Sequence, residues 1–417
     1  MFLFYLLILI MPLTEHPFWG TSVGGVTLIK YLGVVCSIYA IAHMASSGRV
    51  PKFFKEMQVK FFVLLFVIVT ISYATSNAVS ETVASPLATY ISLLMLFFVT
   101  MAVVDTRVRL RKTVLVSFGS IAFASLYLIR EWQRGVAAYG ISYRPGWVTG
   151  DANYFALCVV LLYPLAVFTF LNPQKRFDKW YAGGCLALIA IAMMLTASRG
   201  GFIGLLLGGL FMLKSSKSRL KLTLVTGGLM AVALFLVPSS TLQRITDPNA
   251  SDKQSSDYRL QLWTAGWRML AENPIRGVGV GNFGEYLSSY GAAEAASFHV
   301  PHNTYLSIGA EMGFPGLLAF IAMLGFSLRS LSKLRKKARA LDDTYIMNIG
   351  TAVEAGLLGA TASIFFLSAD HSKPLWFMVA LSAVLPLLLN KQPQTETELV
   401  EPLPIPSAFE PIGARRL

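Results

Sequence analysis

The sequence has 417 residues, of which 55% are hydrophobic and only 14% are charged, and its mean hydropathy is +0.59. This composition excludes a soluble protein, because soluble domains carry about 25% charged residues. The net charge of +13 is typical of nucleic-acid-binding proteins, but the basic residues lie almost wholly in short loops between apolar segments, which excludes that class. Cys36, Cys158 and Cys185 all lie inside apolar segments, which excludes a disulfide framework and a CxxC metal site. The sequence therefore predicts an all-α membrane protein.

About twelve apolar segments predict transmembrane helices, since a span needs about 20 residues, and fewer where it packs among neighbours. They are residues 1–14, 23–44, 60–75, 86–104, 112–129, 153–171, 181–197, 199–213, 220–238, 303–328, 346–368 and 374–390. The first segment lacks a basic region and a small-residue cleavage site, so it predicts a span and not a signal peptide. The predicted divisions are nine helices over 1–238, one large outer-loop subdomain over 239–302, three helices over 303–390 and a disordered cytoplasmic tail over 391–417, rich in Pro and Glu.

The loop charges orient these helices, because lysines and arginines of short loops stay on the cytoplasmic side. With the N-terminus inside, every second loop is basic, as in residues 49–60, 107–112 and 329–339. Both termini are therefore predicted to be cytoplasmic, and the long loops 130–152 and 239–302 to lie outside. The arginines of these outer loops need another explanation.

Arg199 stands in TASRGGF, at the outer end of a span. An arginine at the centre of a span costs about 2.5–3.5 kcal/mol, and a snorkelling helix-end arginine is one interpretation. We prefer an anion site, because a guanidinium binds two phosphate oxygens at once and the adjacent Gly200 and Gly201 let a lipid headgroup approach the backbone. In the loop 130–152, Arg144 lies among other arginines that have no matching acids, which also favours an acidic ligand.

The segment YRLQLWTAGWRMLAENP of the large outer loop predicts a helix that lies in the membrane interface. Trp263, Trp267 and Leu270 have the spacing of one apolar stripe, and Leu260 extends it backwards. Its aromatic face is predicted to rest at headgroup depth, and Pro274 to end the helix.

Two arginines of this loop are candidates for contact with an anion. Arg259 falls one turn before the first tryptophan, close enough to the membrane to meet a lipid phosphate. Arg276 precedes Gly279, Gly281 and Gly284, whose GxGxxG spacing matches a dinucleotide site only formally, because no strand precedes it. These glycines predict a turn whose backbone amides line an anion pocket, with Arg276 at its entrance.

His302 lies in FHVPHNTYL, where the outer loop re-enters the membrane. A neutral imidazole is the usual group for removing a proton from a hydroxyl at neutral pH, and a hydrogen-bonded histidine at a helix start is the alternative. His299 adds a second potential zinc ligand, but no HExxH or carboxylate pattern accompanies the pair, so no metal is predicted. Asn303, Asp370 and Lys30 are weaker, supporting candidates.

Four motifs occur in a fixed order on the predicted outer side: SRGG, R-x-x-x-W, PIRGVGVGNF, and HNTYL followed by GFPG. This set resembles the O-antigen ligase and polymerase superfamily, and within it the O-antigen ligases, over residues 140–330. The resemblance implies a GT-C-like enzyme of the bacterial inner membrane with a periplasmic active site. It implies transfer of O-antigen glycan from undecaprenyl diphosphate to a sugar hydroxyl of lipid A-core, with inversion and without metal, nucleotide or other cofactor.

Carried over to this chain, the resemblance implies that His302 is the general base and that Arg199 and Arg259 bind the donor diphosphate. Arg276 and Arg144 are further diphosphate-binding candidates. O-antigen polymerases and protein O-oligosaccharyltransferases share these motifs and are the alternatives within the superfamily. A lipid-linked glycan flippase is the alternative from another class, although we expect its charges deeper within the spans. The expected partners are the lipid-linked donor, the acceptor and membrane lipids, and no nucleic acid.

Overall fold

The computed structural model describes residues 1–13, 16, 22–23, 26–46, 52–76, 84–140, 143–146, 150–216, 219–236, 250–292 and 300–389. The α-helices within them are α1 Phe2–Ile10, α2 Leu28–Ser46, α3 Met57–Ala74, α4 Ala84–Val103, α5 Arg107–Tyr139, α6 Ala152–Leu171, α7 Arg176–Thr196, α8 Arg199–Ser215, α9 Arg219–Leu236, α10 Ala250–Glu272, α11 Thr304–Ala340, α12 Thr344–Ser363 and α13 Lys373–Leu388. A 3-10 turn, Lys52–Lys55, precedes α3, and two antiparallel strands of two residues each, β1 Ser22–Val23 and β2 Val26–Thr27, precede α2. The predicted helical class is confirmed.

Each of the twelve predicted segments coincides with a helix, and α10 lies in the predicted outer loop. Seven of the described helices are long and apolar enough to cross a membrane by themselves, namely α2, α3, α4 from Pro86 onward, α5, α6, α7 and α11. The 16 residues of α13 are also apolar. The chain is therefore a multi-pass α-helical membrane protein, and the number of twelve spans stays a prediction.

The helices divide into a buried centre and an apolar outside. In α6, the residues from Phe155 to Phe168 are buried, apart from the half-buried Tyr163. By contrast, α2 exposes Ile38 and Ile41 by 64% and 63%. Large exposed aliphatic side chains on a helix suit contact with lipid, so the outside of the bundle matches a membrane environment.

Glycines bring α8 and α12 close together. A Cβ added at Gly204 would lie 2.1 Å from the hydroxyl oxygen of Ser363, and one added at Gly208 would lie 2.8 Å from the carbonyl oxygen of Ala355. These glycines are four residues apart and share one face of α8, the small-residue spacing that lets membrane helices approach closely. The start of α8, with Arg199, is thereby fixed beside the end of α12.

Arginines at the predicted cytoplasmic end of the bundle are paired with acids. The pairs are Arg107 with Asp343, Arg109 with Asp105 at 2.8 Å, Arg111 with Asp178 at 2.5 Å and Arg335 with Glu354 at 2.5 Å. These arginines are thus neutralised within the protein and need no ligand.

Helix α10 confirms the helix expected in the outer loop, and it ends at Glu272, before the proline. The prediction that its four apolar residues share one membrane-facing stripe is wrong. Leu260 and Trp267 are 60% and 62% exposed, whereas Leu270 is buried and Trp263 is half-buried. Only the first two therefore lie free for contact with a membrane surface.

A small hydrophobic cluster explains why α10 buries another face. Leu262, Ala265 and Met269 pack against Phe283 and Leu287 of the segment that follows the helix. The periodicity of a sequence gives the apolar residues of a helix, but it does not say whether lipid or protein covers them.

Other sequence predictions have different outcomes. Helix α5 continues from the predicted end at 129 to Tyr139, so the start of the predicted loop 130–152 is helical. The tail 391–417, residues 239–249 and His299 lie outside the described residues.

Candidate active site

A cavity of about 510 Å³ lies where α6, α8, α10 and the end of α12 meet. Three of the four arginines predicted to bind diphosphate line it: Arg144, Arg199 and Arg259. Among the described residues, no acidic side chain lines this cavity. A pocket with three guanidinium groups and no lining acid attracts an anion.

The start of α8 forms one wall of this arginine cavity. Ala197 takes a left-handed conformation with φ 47° and ends α7, and Ser198 then caps α8 by accepting a hydrogen bond from the backbone N–H of Gly201 at 3.2 Å. All three residues line the cavity together with Arg199. The partial positive charge of a helix N-terminus therefore adds to that of the arginines.

Arg144 is held in place by its hydrogen bonds. Its Nε donates to the carbonyl oxygen of Thr196 at 2.6 Å, and one Nη donates to Oδ1 of Asn153 at 2.8 Å. The hydroxyl of Ser198 donates to the same Oδ1 at 2.8 Å. Sequence analysis missed Asn153, although the Asp-Ala-Asn start of an apolar run signals a capped helix at this point, with Asp151 as the N-cap.

His302 stands immediately before α11 in a left-handed backbone conformation, with φ 51°. Residues other than glycine adopt such conformations at a cost of about 1–3 kcal/mol, usually at functional sites. Asn303 caps α11 by accepting from the N–H of Leu306 at 3.1 Å. The indole N–H of Trp263 donates to the carbonyl of Pro301 at 2.8 Å, so α10 is joined to the residue before His302.

Hydrogen bonds of Thr304 connect the chain that follows His302 to the wall of the arginine cavity. The backbone N–H of Thr304 donates to the carbonyl of Ile364 at 2.9 Å, and its hydroxyl donates to the carbonyl of Leu367 at 2.6 Å. The same hydroxyl accepts from the N–H of Ala369 at 2.9 Å. Because Leu367 lines the arginine cavity, these bonds fix His302 relative to it.

The environment of His302 keeps its imidazole neutral. Burial lowers the pKa of His302 below its usual value of 6.5, and the positive charge of Arg259 lowers it further, while Asp151 acts in the opposite direction. A pKa below 6.5 leaves the ring neutral at pH 7, and only the neutral ring accepts a proton. The histidine and an arginine of the cavity are therefore electrostatic neighbours.

The glycine-rich turn after α10 is hydrogen-bonded to Glu311 of α11. The N–H of Gly279 donates to the carbonyl of Glu311 at 3.0 Å, and the N–H of Phe283 donates to the Glu311 side chain at 3.4 Å. This contact lies beside Gly313, where α11 kinks with φ 66°. The turn was predicted to line an anion pocket with its backbone amides, but these amides instead donate hydrogen bonds to α11. Arg276 is exposed beside the turn and does not line the arginine cavity.

Two supporting candidates also lie apart from the arginine cavity. Asp370 is buried, accepts a hydrogen bond from the Tyr90 hydroxyl at 3.2 Å and lies 3.3 Å from Nδ1 of His371. Lys30 lines a different cavity, together with Lys373. The structure therefore groups three arginines near His302 and Asn303, and leaves Arg276, Asp370 and Lys30 elsewhere.

A family model described as O-antigen ligase matches residues 184–321. This segment is therefore similar to the O-antigen ligase family. The resemblance seen in the sequence motifs is thereby confirmed, and no curated protein matches this sequence. The matched segment includes Arg199, Arg259 and His302, whereas Arg144 and Asn153 precede it. The arginine cavity is thus lined by the matched segment, by Arg144 and the start of α6 before it, and by the end of α12 and the residues just after it.

Proposed function

We propose that this protein is an O-antigen ligase of the bacterial inner membrane. It transfers O-antigen glycan from undecaprenyl diphosphate to a sugar hydroxyl of lipid A-core on the periplasmic face, with both termini in the cytoplasm. The similarity of residues 184–321 to the O-antigen ligase family supports the coarser statement, an enzyme of the glycosyltransferase type in O-antigen processing. The finer assignment rests on the chemistry of the arginine cavity.

The grouping of Arg144, Arg199 and Arg259 around the start of α8 is the observation that carries the proposal. A departing diphosphate develops negative charge, and fixed cations aimed at that charge lower the barrier. Guanidinium groups suit this task because each binds two phosphate oxygens. The side chains in the cavity supply this charge without a metal ion.

An apolar cavity of about 320 Å³ along α8 supports a donor with a lipid tail. Phe202, Leu205 and Gly209 line it from α8, and Tyr163 and Ile189 line it from α6 and α7. The residues of α8 that line the arginine cavity, from Arg199 to Ile203, are adjacent to these in the chain. A diphosphate on the arginines would therefore have its polyprenyl chain beside an apolar surface of the same helix.

His302 is the proposed general base. Its neutral imidazole takes the proton of the acceptor hydroxyl while that oxygen bonds to the anomeric carbon of the donor sugar. The bond from this carbon to the phosphate oxygen breaks, and the diphosphate leaves with its electron pair onto the arginines. Attack from the side opposite the leaving group inverts the anomeric centre.

Deletion of the gene, followed by separation of surface lipopolysaccharide and lipid-linked glycan, tests the acceptor. Long lipid-linked polymer with bare lipid A-core supports the ligase. Single repeat units on the core would assign a polymerase, and unmodified protein acceptor with normal lipopolysaccharide would assign a protein O-oligosaccharyltransferase. Lipid-linked glycan that accumulates only on the cytoplasmic side would assign a flippase.

His302→Asn tests the base in purified, reconstituted protein. Asparagine tolerates the left-handed backbone but accepts no proton, so we expect transfer to fall by about 10²–10⁴-fold with unchanged folding. His43→Asn, at the opposite end of the bundle beside Asp105, is the matched control and should retain activity. Near-normal transfer by His302→Asn would refute the assignment.

A further inference from the structure

A second cavity with basic residues lies on the same end of the bundle as the arginine cavity. It has a volume of about 240 Å³ and lies between α1, α2, α4 and the start of α13. Lys30 and Lys373 line it, and no described acidic side chain does. Lys30 belongs to the first turn of α2, and Lys373 is the first residue of α13. Both ammonium groups are therefore carried at the ends of their helices.

Away from the lysines, the cavity is apolar. Leu7, Val34, Met95 and Leu96 line it from α1, α2 and α4. Its lining on α4 extends from Ala88 to Leu96, which corresponds to about 12 Å along a helix. A charged end and an apolar length in one cavity match an amphiphile with an anionic headgroup.

We propose that this lysine cavity binds a phosphorylated lipid. The phosphate lies between Lys30 and Lys373, where the N-terminus of the 16-residue α13 adds partial positive charge. One acyl chain lies along α4 against the apolar lining. The proposal goes beyond glycan transfer and does not rest on it.

One segment of the chain connects the lysine cavity to the arginine cavity. The two cavities share no lining residue, but the segment from Ile364 to Lys373 reaches both, because Leu367 lines one and Lys373 the other. The same segment is hydrogen-bonded to Thr304, two residues after His302. A lipid in the lysine cavity would thus contact the element that holds His302 in place.

Native mass spectrometry of the full-length protein tests the proposal, with phosphatidylglycerol, phosphatidylcholine and phosphorylated lipid A as probes. We expect phosphatidylglycerol and lipid A to bind more tightly than phosphatidylcholine, and Lys30→Gln with Lys373→Gln to weaken anionic lipid binding at least tenfold. Lys112→Gln, an exposed lysine at the predicted cytoplasmic end, is the control. Equal binding by the double variant and the control would overturn the proposal.

A second variant tests the acyl chain without touching charge. Gly33 lines the lysine cavity, and a Cβ added there meets nothing within 4 Å, so Gly33→Leu places apolar volume in the cavity and should weaken lipid binding. Gly184→Leu, at another open helical position, is the control and should leave lipid binding unchanged. Equal lipid binding by these two leucine variants would overturn the placement of the acyl chain. Competition identifies which lipid the cavity prefers. Displacement of bound phosphatidylglycerol by equimolar lipid A assigns a glycolipid, and displacement of bound lipid A by equimolar phosphatidylglycerol assigns a membrane phospholipid.

Discussion

Thr304→Val removes one hydroxyl and keeps the shape of the side chain, so it isolates the connection between the start of α11 and the wall of the arginine cavity. Thr304 is fully buried, and its hydroxyl donates to the carbonyl of Leu367 at 2.6 Å and accepts from the N–H of Ala369 at 2.9 Å. Valine leaves both backbone groups without this partner. Leu367 and Ala369 are themselves buried, so water does not readily replace the hydroxyl.

The expected cost follows from these two groups. A buried donor or acceptor that loses its partner costs about 1–3 kcal/mol, and the extra methyl group of valine recovers about 0.8 kcal/mol through burial. With two such groups, we therefore expect Thr304→Val to lower the free energy of unfolding by about 1–5 kcal/mol. Because the lost bonds lie two residues from His302, transfer should also fall, since small misplacements of a catalytic group cost up to about 10²-fold in rate.

Three measurements test this expectation: the melting temperature in detergent, hydrogen exchange of residues 364–369, and the rate of glycan transfer. Thr361→Val is the matched control, because the hydroxyl of Thr361 bonds only to the carbonyl of Leu358, one turn earlier in the same helix. We expect the control to resemble the wild type in all three. Unchanged exchange and unchanged transfer in Thr304→Val would refute the claim that this hydroxyl positions His302.

Three further predictions follow from the site and its supports. Gly204→Ala should lower stability by about 1–3 kcal/mol through overpacking between α8 and α12, whereas Gly209→Ala, whose Cβ meets nothing within 4 Å, should not; thermal unfolding in detergent measures both. The pKa of His302 lies below 6.5, so kcat/KM should fall only as pH drops below 6.5. Arg259→Gln removes a charge that lowers this pKa and should move the acid limb to higher pH; an unmoved limb would contradict the coupling. Arg144→Lys keeps the charge but loses the two-pronged bond to Thr196 and Asn153, so donor binding measured by titration should weaken about tenfold.

The helices and their apolar segments were predictable because they depend on local sequence. An apolar run of sufficient length must bury its backbone in a helix within a membrane, whatever the rest of the chain does. The sequence also indicates Arg199 as a candidate site residue, since an arginine at an outer span end is costly without a compensating anion. The structure adds that Arg144 and Arg259 line the same cavity.

The contacts between distant segments were not predictable from one sequence. Nothing local to Arg144 indicates that Asn153 and Thr196 would hold its guanidinium. The glycine turn illustrates the same limit, because its amides are used by Glu311, which lies on another element. The spacing of these glycines predicted a turn, but the group that accepts from the amides depends on how α11 packs.

The arginines of the cavity differ in a way that fits two stages of one reaction. Arg144 is fixed by hydrogen bonds to backbone and to Asn153, so it presents its charge at a constant position. Arg199 is exposed at the first position of α8, where its charge adds to the partial positive charge of the helix N-terminus. A fixed cation suits recognition of the diphosphate as the donor enters, because no ordering cost remains at binding. A cation beside a helix N-terminus suits the charge that develops as the bond to the sugar breaks, because the two positive charges act together on the leaving group. On this division, substitution of Arg144 raises KM more than it lowers kcat, and substitution of Arg199 does the reverse.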